Sequence, residues 1–269
     1  MPWIPFLKQT KMTSDLLSTE IQRAVLVVRM TRAQKRNALS DGLMLALRNC
    51  FENLPAQVRA AVIVGDGEHF CAGLDLAELR ERDAAQGMHH SRMWHTALDA
   101  IARGPVPVVA ALQGAVVGGG LELACACHLR VADETTVYAL PEGSRGIFVG
   151  GGGSVRLPRL IGVARMTDMM LTGRVYGAAE GERAGFAQYL VAAGTAQTKA
   201  IELAERIAQN APLTNFALVQ ALPRIVEQAA DHGLFTESLM AAIAQSSAEA
   251  KSRLHAFLEG RSARLREEG

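Results

Sequence analysis

A run of three glycines between two apolar segments constrains the fold of this chain more than any other feature. Gly118, Gly119 and Gly120 follow the run PVVAALQGAVV, whose continuous apolar character predicts a buried strand. The segment LELACACHL after the glycines predicts a helix. The glycines therefore lie at a strand-to-helix turn, where a backbone without Cβ atoms can approach a ligand and direct N–H groups at it.

Two glutamates accompany this turn. Glu122 falls in the first turn of the predicted helix, and Glu142 follows Pro141 at the end of a later apolar run. Each has a simple explanation, because a helix N-terminus favours a carboxylate and a loop carboxylate can be solvated. A glutamate in an apolar pocket would instead have a raised pKa and could act as a general acid. Our hypothesis from these residues is one half of an oxyanion hole with two carboxylates beside it.

Composition and charge exclude several classes of protein. The 269 residues suffice for a large core, in one domain or in a domain with an appendage. A net charge of +1 without a basic stripe predicts no nucleic-acid partner. The most apolar stretch, residues 105–127, contains Gln113, Glu122, two prolines and four glycines, so we predict no membrane span.

The cysteines and the N-terminus indicate the compartment. Cys50, Cys71, Cys125 and Cys127 form no CxxC pair and predict reduced core thiols, and hence a cytoplasmic location. The first residues, MPWIPFLKQTK, have neither the sustained apolar core nor the cleavage site of a signal peptide. We expect residues 1–22 to be an N-terminal extension that is partly disordered.

Apolar periodicity divides the rest of the chain into a mixed part and a helical part. It predicts strands over 24–30, 60–64, 105–117, 129–132 and 137–140, and a helix over 41–54 with Ser40 as its N-cap. Residues 78–103 are expected to be helical in pieces, with a break near Gly87. From Val163 onward the pattern is helical, ending in one helix over 234–259 whose apolar stripe needs a partner surface. We therefore expect a core over 23–210 and a helical region over 211–269.

The loop HFCAGLDL follows a predicted strand and a glycine turn. Its residues Ala72, Gly73 and Leu74 could present a backbone N–H to a ligand, with Asp75 starting the next helix. An ordinary loop in which Asp75 is merely an N-cap is the alternative. The residues alone do not decide between the two.

Other motifs are weaker. Lys35 and Arg36 form a small basic cluster, which is either a solvated turn or a phosphate contact. The spacing of His89, His90 and His95 does not match a usual zinc site, so we predict no metal site. The dinucleotide motif G-x-G-x-x-G, the P-loop and the G-x-S-x-G elbow are all missing from the sequence.

The motifs, taken in chain order, resemble the enoyl-CoA hydratase/isomerase (crotonase) superfamily. The resemblance runs from about Arg23 to the C-terminus and is carried by KRNALS, HFCAGLDL, QGAVVGGGLELACACHLRVAD, YALPEGSRGI and GGGGSVRLPRLIG. It implies an α/β fold, a spiral of ββα units with a C-terminal helical region that trimerises. A homotrimer or a dimer of trimers agrees with the apolar stripe of the last helix.

The resemblance also implies the site. The N–H groups of Leu74 and Gly119 would hold the carbonyl oxygen of an acyl-CoA thioester, and Glu122 and Glu142 match the two acidic positions of hydratases. Lys35 and Arg36 would lie near the CoA phosphates, and the Ala72 backbone near the adenine. The other residues implied at the CoA and substrate site are Gly73, Asp75, Leu76, Gly118 and Gly150. No cofactor or metal is implied apart from the CoA of the substrate.

The presence of both glutamates favours hydration of a 2-enoyl-CoA to a 3-hydroxyacyl-CoA. We assign Glu122 to the attacking water and Glu142 to the proton on Cα. The alternatives are a double-bond isomerase, another acyl-CoA lyase or hydrolase, and a non-catalytic crotonase-fold interaction protein. Position in the sequence suggests a pocket wall made of Leu76, Leu79, Met88, Trp94, Phe148 and Val149.

Three positions depart from the family pattern. Val149 and Ala33 stand where prolines are common, and Gly260 stands where a lysine is usual, while Arg261 remains. These departures concern the acyl pocket and the CoA contacts of the C-terminal helix. They leave the two glutamates and the oxyanion-hole segments intact.

Overall fold

The computed structural model describes residues 12–13, 15–78 and 80–259. The first eleven residues, Ser14, Leu79 and residues 260–269 lie outside the described residues. The expectations for the extreme N-terminus, for Leu79 as a pocket residue, and for Gly260 and Arg261 therefore stay predictions.

Two sheets organise the larger part of the chain. The main sheet has the order β1-β2-β3-β4-β5-β7-β10; its β1–β2 and β2–β3 pairings are antiparallel and the later ones parallel. Its strands are β1 (Met12–Thr13), β2 (Leu17–Gln22), β3 (Val25–Met30), β4 (Ala60–Gly65), β5 (Val108–Leu112), β7 (Leu129–Asp133) and β10 (Tyr189–Val191). A small sheet joins β6 (Ala115–Val117), β8 (Val137–Ala139) and β9 (Tyr176–Gly177).

Both faces of the main sheet are buried. Val27 and Val62 pack on one face against α7 (Ala196–Ala208), while Val28 and Ile63 belong to the core on the other face. Side chains alternate between the two faces of a strand, and parallel strands covered on both faces are apolar at nearly every position. This explains the continuous apolar runs of the sequence.

In the part of the chain that the structure describes, six α-helices precede α7. The helices before α7 are α1 (Asp41–Glu52), α2 (Ala84–Ala102), α3 (Gly119–Ala126), α4 (Gly153–Ile161), α5 (Val163–Thr172) and α6 (Ala178–Ala184). The helix after Ser40 is confirmed, and the Ser40 Oγ accepts the Leu43 N–H at 3.2 Å as an N-cap. The predicted strands over 24–30, 60–64, 129–132 and 137–140 are confirmed within two residues.

Two predictions about glycines are wrong. Residues 105–117 are not one strand, because Gly114 turns the chain with φ = 52° and sends β5 and β6 into different sheets. Residues 84–102 form one helix that continues through Gly87. A capping box between Asp83 and Gln86 stabilises its start, and one glycine costs a helix only about 1 kcal/mol.

Further differences concern short elements. The region after Val163 is not purely helical, because it contains β9 and β10, which are too short to show a periodicity. The predicted last helix is two helices, since Ser247 has an extended ψ of 144° and caps the second one. Leu17–Gln22, expected in the N-terminal extension, pairs with β3 along its whole length.

The chain divides into two compact units, one up to Ala208 and one from Gln209 on. The domain boundary expected after residue 210 stays a prediction. The second unit contains α8 (Pro212–Phe216), a π-helical turn (Ala217–Ala221), α9 (Leu222–Ile225), α10 (Ala230–Ser246) and α11 (Ala248–Leu258). Within the described part of the chain, no helix is long and apolar enough to cross a membrane.

Candidate active site

The glycine turn lies between the small sheet and α3. Strand β6 ends at Val117, Gly118 takes φ = 52°, and α3 begins at Gly119. The Gly118 N–H donates to the Ala139 carbonyl at 2.9 Å, which ties the turn to β8. A Cβ atom on Gly118 would lie 2.5 Å from Oε1 of Glu142, so a larger residue would displace this carboxylate as well as strain the backbone.

A second backbone segment lies beside this turn. The Gly73 carbonyl accepts the Leu39 N–H at 2.7 Å, and the Leu39 carbonyl accepts the Asp75 N–H at 2.8 Å. This pairing leaves the intervening Leu74 N–H unused by Leu39. A Cβ atom on Gly73 would lie 3.6 Å from the Gly119 nitrogen, so the two segments are in close contact.

The N–H groups of Leu74 and Gly119 are available as donors. Among the described residues, neither donates to another group of the chain. Two unused donors on adjacent backbone segments, one of them at a helix N-terminus, are the arrangement that stabilises a developing oxyanion. The structure thus brings together the two positions that the sequence predicted.

Glu122 is buried and held by the start of α4. Its Oε1 accepts the N–H groups of Gly151 and Gly153 at 2.8 and 2.7 Å. Burial raises the pKa of Glu122, the two N–H donors oppose this, and the charge of Glu142 raises the pKa further. Gly150, which the sequence predicted at the site, accepts the Ser91 Oγ–H at 2.6 Å through its carbonyl.

Glu142 has a different environment. It is buried, and its Oε2 has no hydrogen-bond partner among the described residues. Burial raises the pKa of Glu142, with only partial compensation from its own backbone and the Arg145 charge. A carboxyl oxygen that is buried without a protein partner is suited to hold a proton or to bind a water molecule.

The two glutamates act on each other electrostatically. The charge on Glu142 raises the pKa of Glu122, in addition to the larger effect of burial. One carboxylate with two backbone donors and one with a free buried oxygen form an asymmetric pair. Such a pair can take a proton from one atom and give a proton to another.

Of the two predicted phosphate-binding residues, Lys35 pairs with Asp75 and Arg36 does not. Lys35 Nζ lies 2.9 Å and Arg32 Nη2 2.5 Å from Asp75 Oδ2, and these partners, Lys35 first, lower the Asp75 pKa to about 2. Asp75 also accepts the Ala77 N–H at 3.1 Å, at the start of a short 3₁₀ turn instead of the predicted helix. Arg36 is exposed in a left-handed conformation.

Sequence reasoning missed Asn37, which holds these loops together. It is fully buried with φ = 53°, and its Nδ2 donates to the carbonyls of Asp66 and His69 at 2.9 and 2.8 Å. Its Oδ1 accepts the Arg32 N–H at 3.1 Å. Asparagine tolerates left-handed backbone, and this was the available signal in KRNALS.

Sequence reasoning also missed a pair that supports the glycine loop before α4. Arg156 donates to the Gly151 carbonyl at 3.0 Å and to Asp99 Oδ1 at 2.6 Å. Asp99 lies on α2, so this helix fixes the loop whose N–H groups bind Glu122. The separation of 57 residues between Asp99 and Arg156 left no local signal.

The proposed pocket-wall residues fall into two groups. Phe148 and its neighbour Ile147, on the loop between Glu142 and the glycines that bind Glu122, are exposed, as are Leu76 and Met88. Trp94 and Val149 are buried. Trp94 and Val149 belong to the core, whereas Leu76, Met88 and Phe148 leave apolar surface exposed.

Two other candidate sites are unrelated to the glutamates. Within the described residues, no group of three His, Cys, Asp or Glu side chains could hold a metal ion, and His90 contacts Asp41. A cleft of about 400 Å³ lies on α5, β9 and α6. It is lined by Ala164, Arg165, Asp168, Arg174, Tyr176, Glu180, Arg183 and Ala184. We base the site on the glutamates, because they combine perturbed carboxyls with unused backbone donors.

Comparison with known proteins agrees with this geometry. The family model Enoyl-CoA hydratase/isomerase matches residues 20–268. A 2,3-dehydroadipyl-CoA hydratase from Escherichia coli is 32% identical over 92% of this chain and 97% of its own. An enoyl-CoA hydratase structure from Bacillus anthracis is 33% identical, with a TM-score of 0.86 over 91% of this chain and 97% of its own. A candidate enoyl-CoA hydratase structure from Rhodopseudomonas palustris is 62% identical, with a TM-score of 0.90 over 92% of this chain and 96% of its own. This chain belongs to the enoyl-CoA hydratase/isomerase family.

Proposed function

We propose that this acyl-CoA-processing enzyme adds water to a 2-enoyl-CoA thioester and produces a 3-hydroxyacyl-CoA. The observation that carries the proposal is the pair of buried glutamates, Glu122 on α3 and Glu142 against the Gly118 turn. Water addition to an enoyl thioester passes through an enolate, which needs an oxyanion hole and groups that move protons.

The backbone would stabilise the enolate. The N–H groups of Leu74 and Gly119 would donate to the thioester oxygen as negative charge develops on it. Removing one such donor from an enzyme costs roughly 3–4 kcal/mol of transition-state stabilisation. The exposed side chains of Leu76, Ile147 and Phe148 would contact the acyl chain.

The two glutamates would divide the proton transfers. Two N–H donors favour the ionised form of Glu122, so it would accept a proton from the water as oxygen bonds to Cβ. Glu142, with a free buried oxygen, would be protonated and would deliver its proton to Cα. Glu122 gains one proton and Glu142 loses one, so the net charge of the pair is unchanged. A proton would then pass from Glu122 to Glu142 before the next turnover.

The experiment is turnover of 2-enoyl-CoA thioesters, from short straight chains to branched and aryl ones, with mass detection of added water. Glu122→Gln and Glu142→Gln should each lose at least about 100-fold in kcat and keep thioester binding. Glu134→Gln, an exposed glutamate, is the matched control and should keep wild-type activity. Thioester binding without water addition in the wild type would reject hydration. An isomerised thioester would then identify an isomerase, and a free acid would identify a hydrolase. The absence of any product would favour a non-catalytic interaction protein.

We further propose a homotrimer, or a dimer of trimers, in the cytoplasm. Large apolar side chains are exposed on α10 and α11, including Phe235, Leu239, Ile243, Leu254 and Phe257, and a second copy of the chain would cover them. All four cysteines are unpaired, which is typical of a reducing compartment. Lys35 and Arg36 would contact the CoA phosphates, with the adenine near Ala72.

A further inference from the structure

A buried tryptophan lies next to one of the two backbone donors of the candidate oxyanion hole. Trp94 on α2 is buried, and a Cβ atom built on Gly119 would lie 3.0 Å from its Cζ3 and 3.5 Å from its Cη2. Leu39 Cδ1 is 3.4 Å from the same point. The Gly119 backbone therefore lies close to the six-membered ring of the indole, with room for no side chain larger than hydrogen between them.

The polar edge of the same indole is anchored to another helix. Trp94 Nε1 donates to Asp41 Oδ1 at 3.1 Å, and His90 Nε2 lies 2.7 Å from the same oxygen. The rings of His90 and Trp94 are 5.8 Å apart between centroids. Asp41 is the first residue of α1 and follows its N-cap, so the acceptor is on a fixed element. The indole thus donates a hydrogen bond to Asp41 through Nε1, and its six-membered ring lies next to Gly119.

Oxyanion-hole donors act only within a narrow range of distances. They must lie about 2.7–3.1 Å from the oxyanion, and a misplacement of about 1 Å can cost about 100-fold in rate. We propose that Trp94 is a positioning residue that sets the Gly119 N–H, and that Asp41 and His90 hold its indole in place. This inference rests on the proposed function, because it assumes that the Gly119 N–H binds a thioester oxygen.

Two readouts on the full-length protein test the inference. The first is steady-state hydration over the same panel of 2-enoyl-CoA thioesters. The second is the ultraviolet absorption of the enolate that acetoacetyl-CoA forms when it is bound. This enolate places negative charge on the thioester oxygen, so its bound fraction reports the two N–H donors without any turnover.

The variants separate the ring from its anchor. Trp94→Phe removes the ring atoms under Gly119, and we expect kcat to fall about 10–100-fold with KM within about threefold and a lower enolate fraction. Asp41→Ala keeps the indole but removes the carboxylate that accepts its N–H. It should lower kcat and the enolate fraction less than Trp94→Phe does. Asp41→Asn keeps an oxygen acceptor and should recover most of that loss. Met93→Leu, a partly buried neighbour on α2, is the control and should keep both readouts.

The outcomes are distinguishable. If Trp94→Phe and Asp41→Ala melt cooperatively and keep wild-type kcat and enolate fraction, the positioning role is overturned and the proposed function stands. An equal loss in Met93→Leu would also overturn the role, because core packing alone would then explain the effect. If the wild type hydrates no thioester and forms no enolate, both the oxyanion hole and the role of Trp94 are rejected.

Discussion

At the scale of single residues, the site depends on how each glutamate is surrounded. Glu122 has two backbone donors on one oxygen, and Glu142 has a buried oxygen with no protein partner in the described part of the chain. Both carboxyls are desolvated, but Glu122 is bound by two N–H groups of a distant loop, whereas Glu142 is compensated by its own backbone and the Arg145 charge. This difference would let two residues of the same type take the two roles that we propose for them.

Gly118 tests how closely the turn approaches Glu142. Gly118→Ala combines a positive φ with a Cβ atom 2.5 Å from Glu142 Oε1, so the carboxyl must move. We expect a loss of about 1 kcal/mol of stability from backbone strain and at least about tenfold in kcat. Gly173→Ala, also at positive φ but with open space around it, should lose stability and keep kcat. Equal kcat in the two variants would contradict the prediction.

The pH dependence of stability tests the burial of Glu142. Its folded-state pKa is raised above the ordinary value of 4.5, so the folded protein binds the proton more tightly than the unfolded chain. The free energy of unfolding therefore falls as the pH rises from the pKa of Glu142 in the unfolded chain to its pKa in the folded protein. The total loss is about 1.4 kcal/mol for each unit by which these two pKa values differ. Glu142→Gln should thus gain Tm over the wild type at about pH 8 and gain less at about pH 4. A difference in Tm that is the same at both pH values would disprove the assignment.

At the scale of elements, α2 organises the site more than its sequence indicates. Its Ser91 bonds the Gly150 carbonyl, its Asp99 holds Arg156, and its Trp94 lies against Gly119. Ser91, Trp94 and Asp99 are spaced so that one side of the helix can present all three. The helix thus contacts both the Gly119 segment, proposed as half of an oxyanion hole, and the loop that binds Glu122.

Arg156 tests the support of the glycine loop. Arg156→Met removes the bonds to the Gly151 carbonyl and to Asp99, so the N–H groups that hold Glu122 lose their support. We expect kcat to fall about tenfold with little change in KM, because the loss acts through Glu122. Arg159→Met, an exposed change on the same helix, is the control. A KM effect without a kcat effect would instead place Arg156 in substrate binding.

Gly87 tests the continuity of α2. It lies inside the helix, and a Cβ atom there would meet nothing within 4 Å. Gly87→Ala should therefore stabilise the protein by about 0.5–1 kcal/mol, since alanine lowers the entropy of the unfolded chain and favours helix. Urea unfolding measures the change. A destabilised variant would mean that the helix is interrupted at Gly87, as the sequence pattern suggested.

At the scale of the whole molecule, apolar surface on the second unit predicts self-association. Leu239 and Ile243 on α10 are each 47% exposed, and single charges there should shift a trimer or hexamer towards smaller species. The measurement is sedimentation velocity of Leu239→Glu and Ile243→Glu. Gln245→Glu, an exposed change on the same helix, should leave the assembly intact. A wild type that sediments as a monomer would reject the prediction.

The sequence by itself determined the parts that depend on local chemistry. Continuous apolar runs predicted β3 and β4 because strands covered on both faces are apolar at nearly every position. Ser40 predicted the start of α1 because its hydroxyl can satisfy an N–H of the first turn. The glycine turn before α3 and the nearby Glu122 and Glu142 were identified in the same way, from residues adjacent in the chain.

Only the tertiary structure decided how distant segments meet. Gly151 and Gly153 bind a glutamate about thirty residues earlier, Lys35 pairs with Asp75 across 40 residues, and Trp94 bonds Asp41 across 53. The split of residues 105–117 between two sheets and the short strands β9 and β10 were also decided there. Periodicity and capping are set by neighbours in the chain, whereas these contacts form only when the core brings remote segments together.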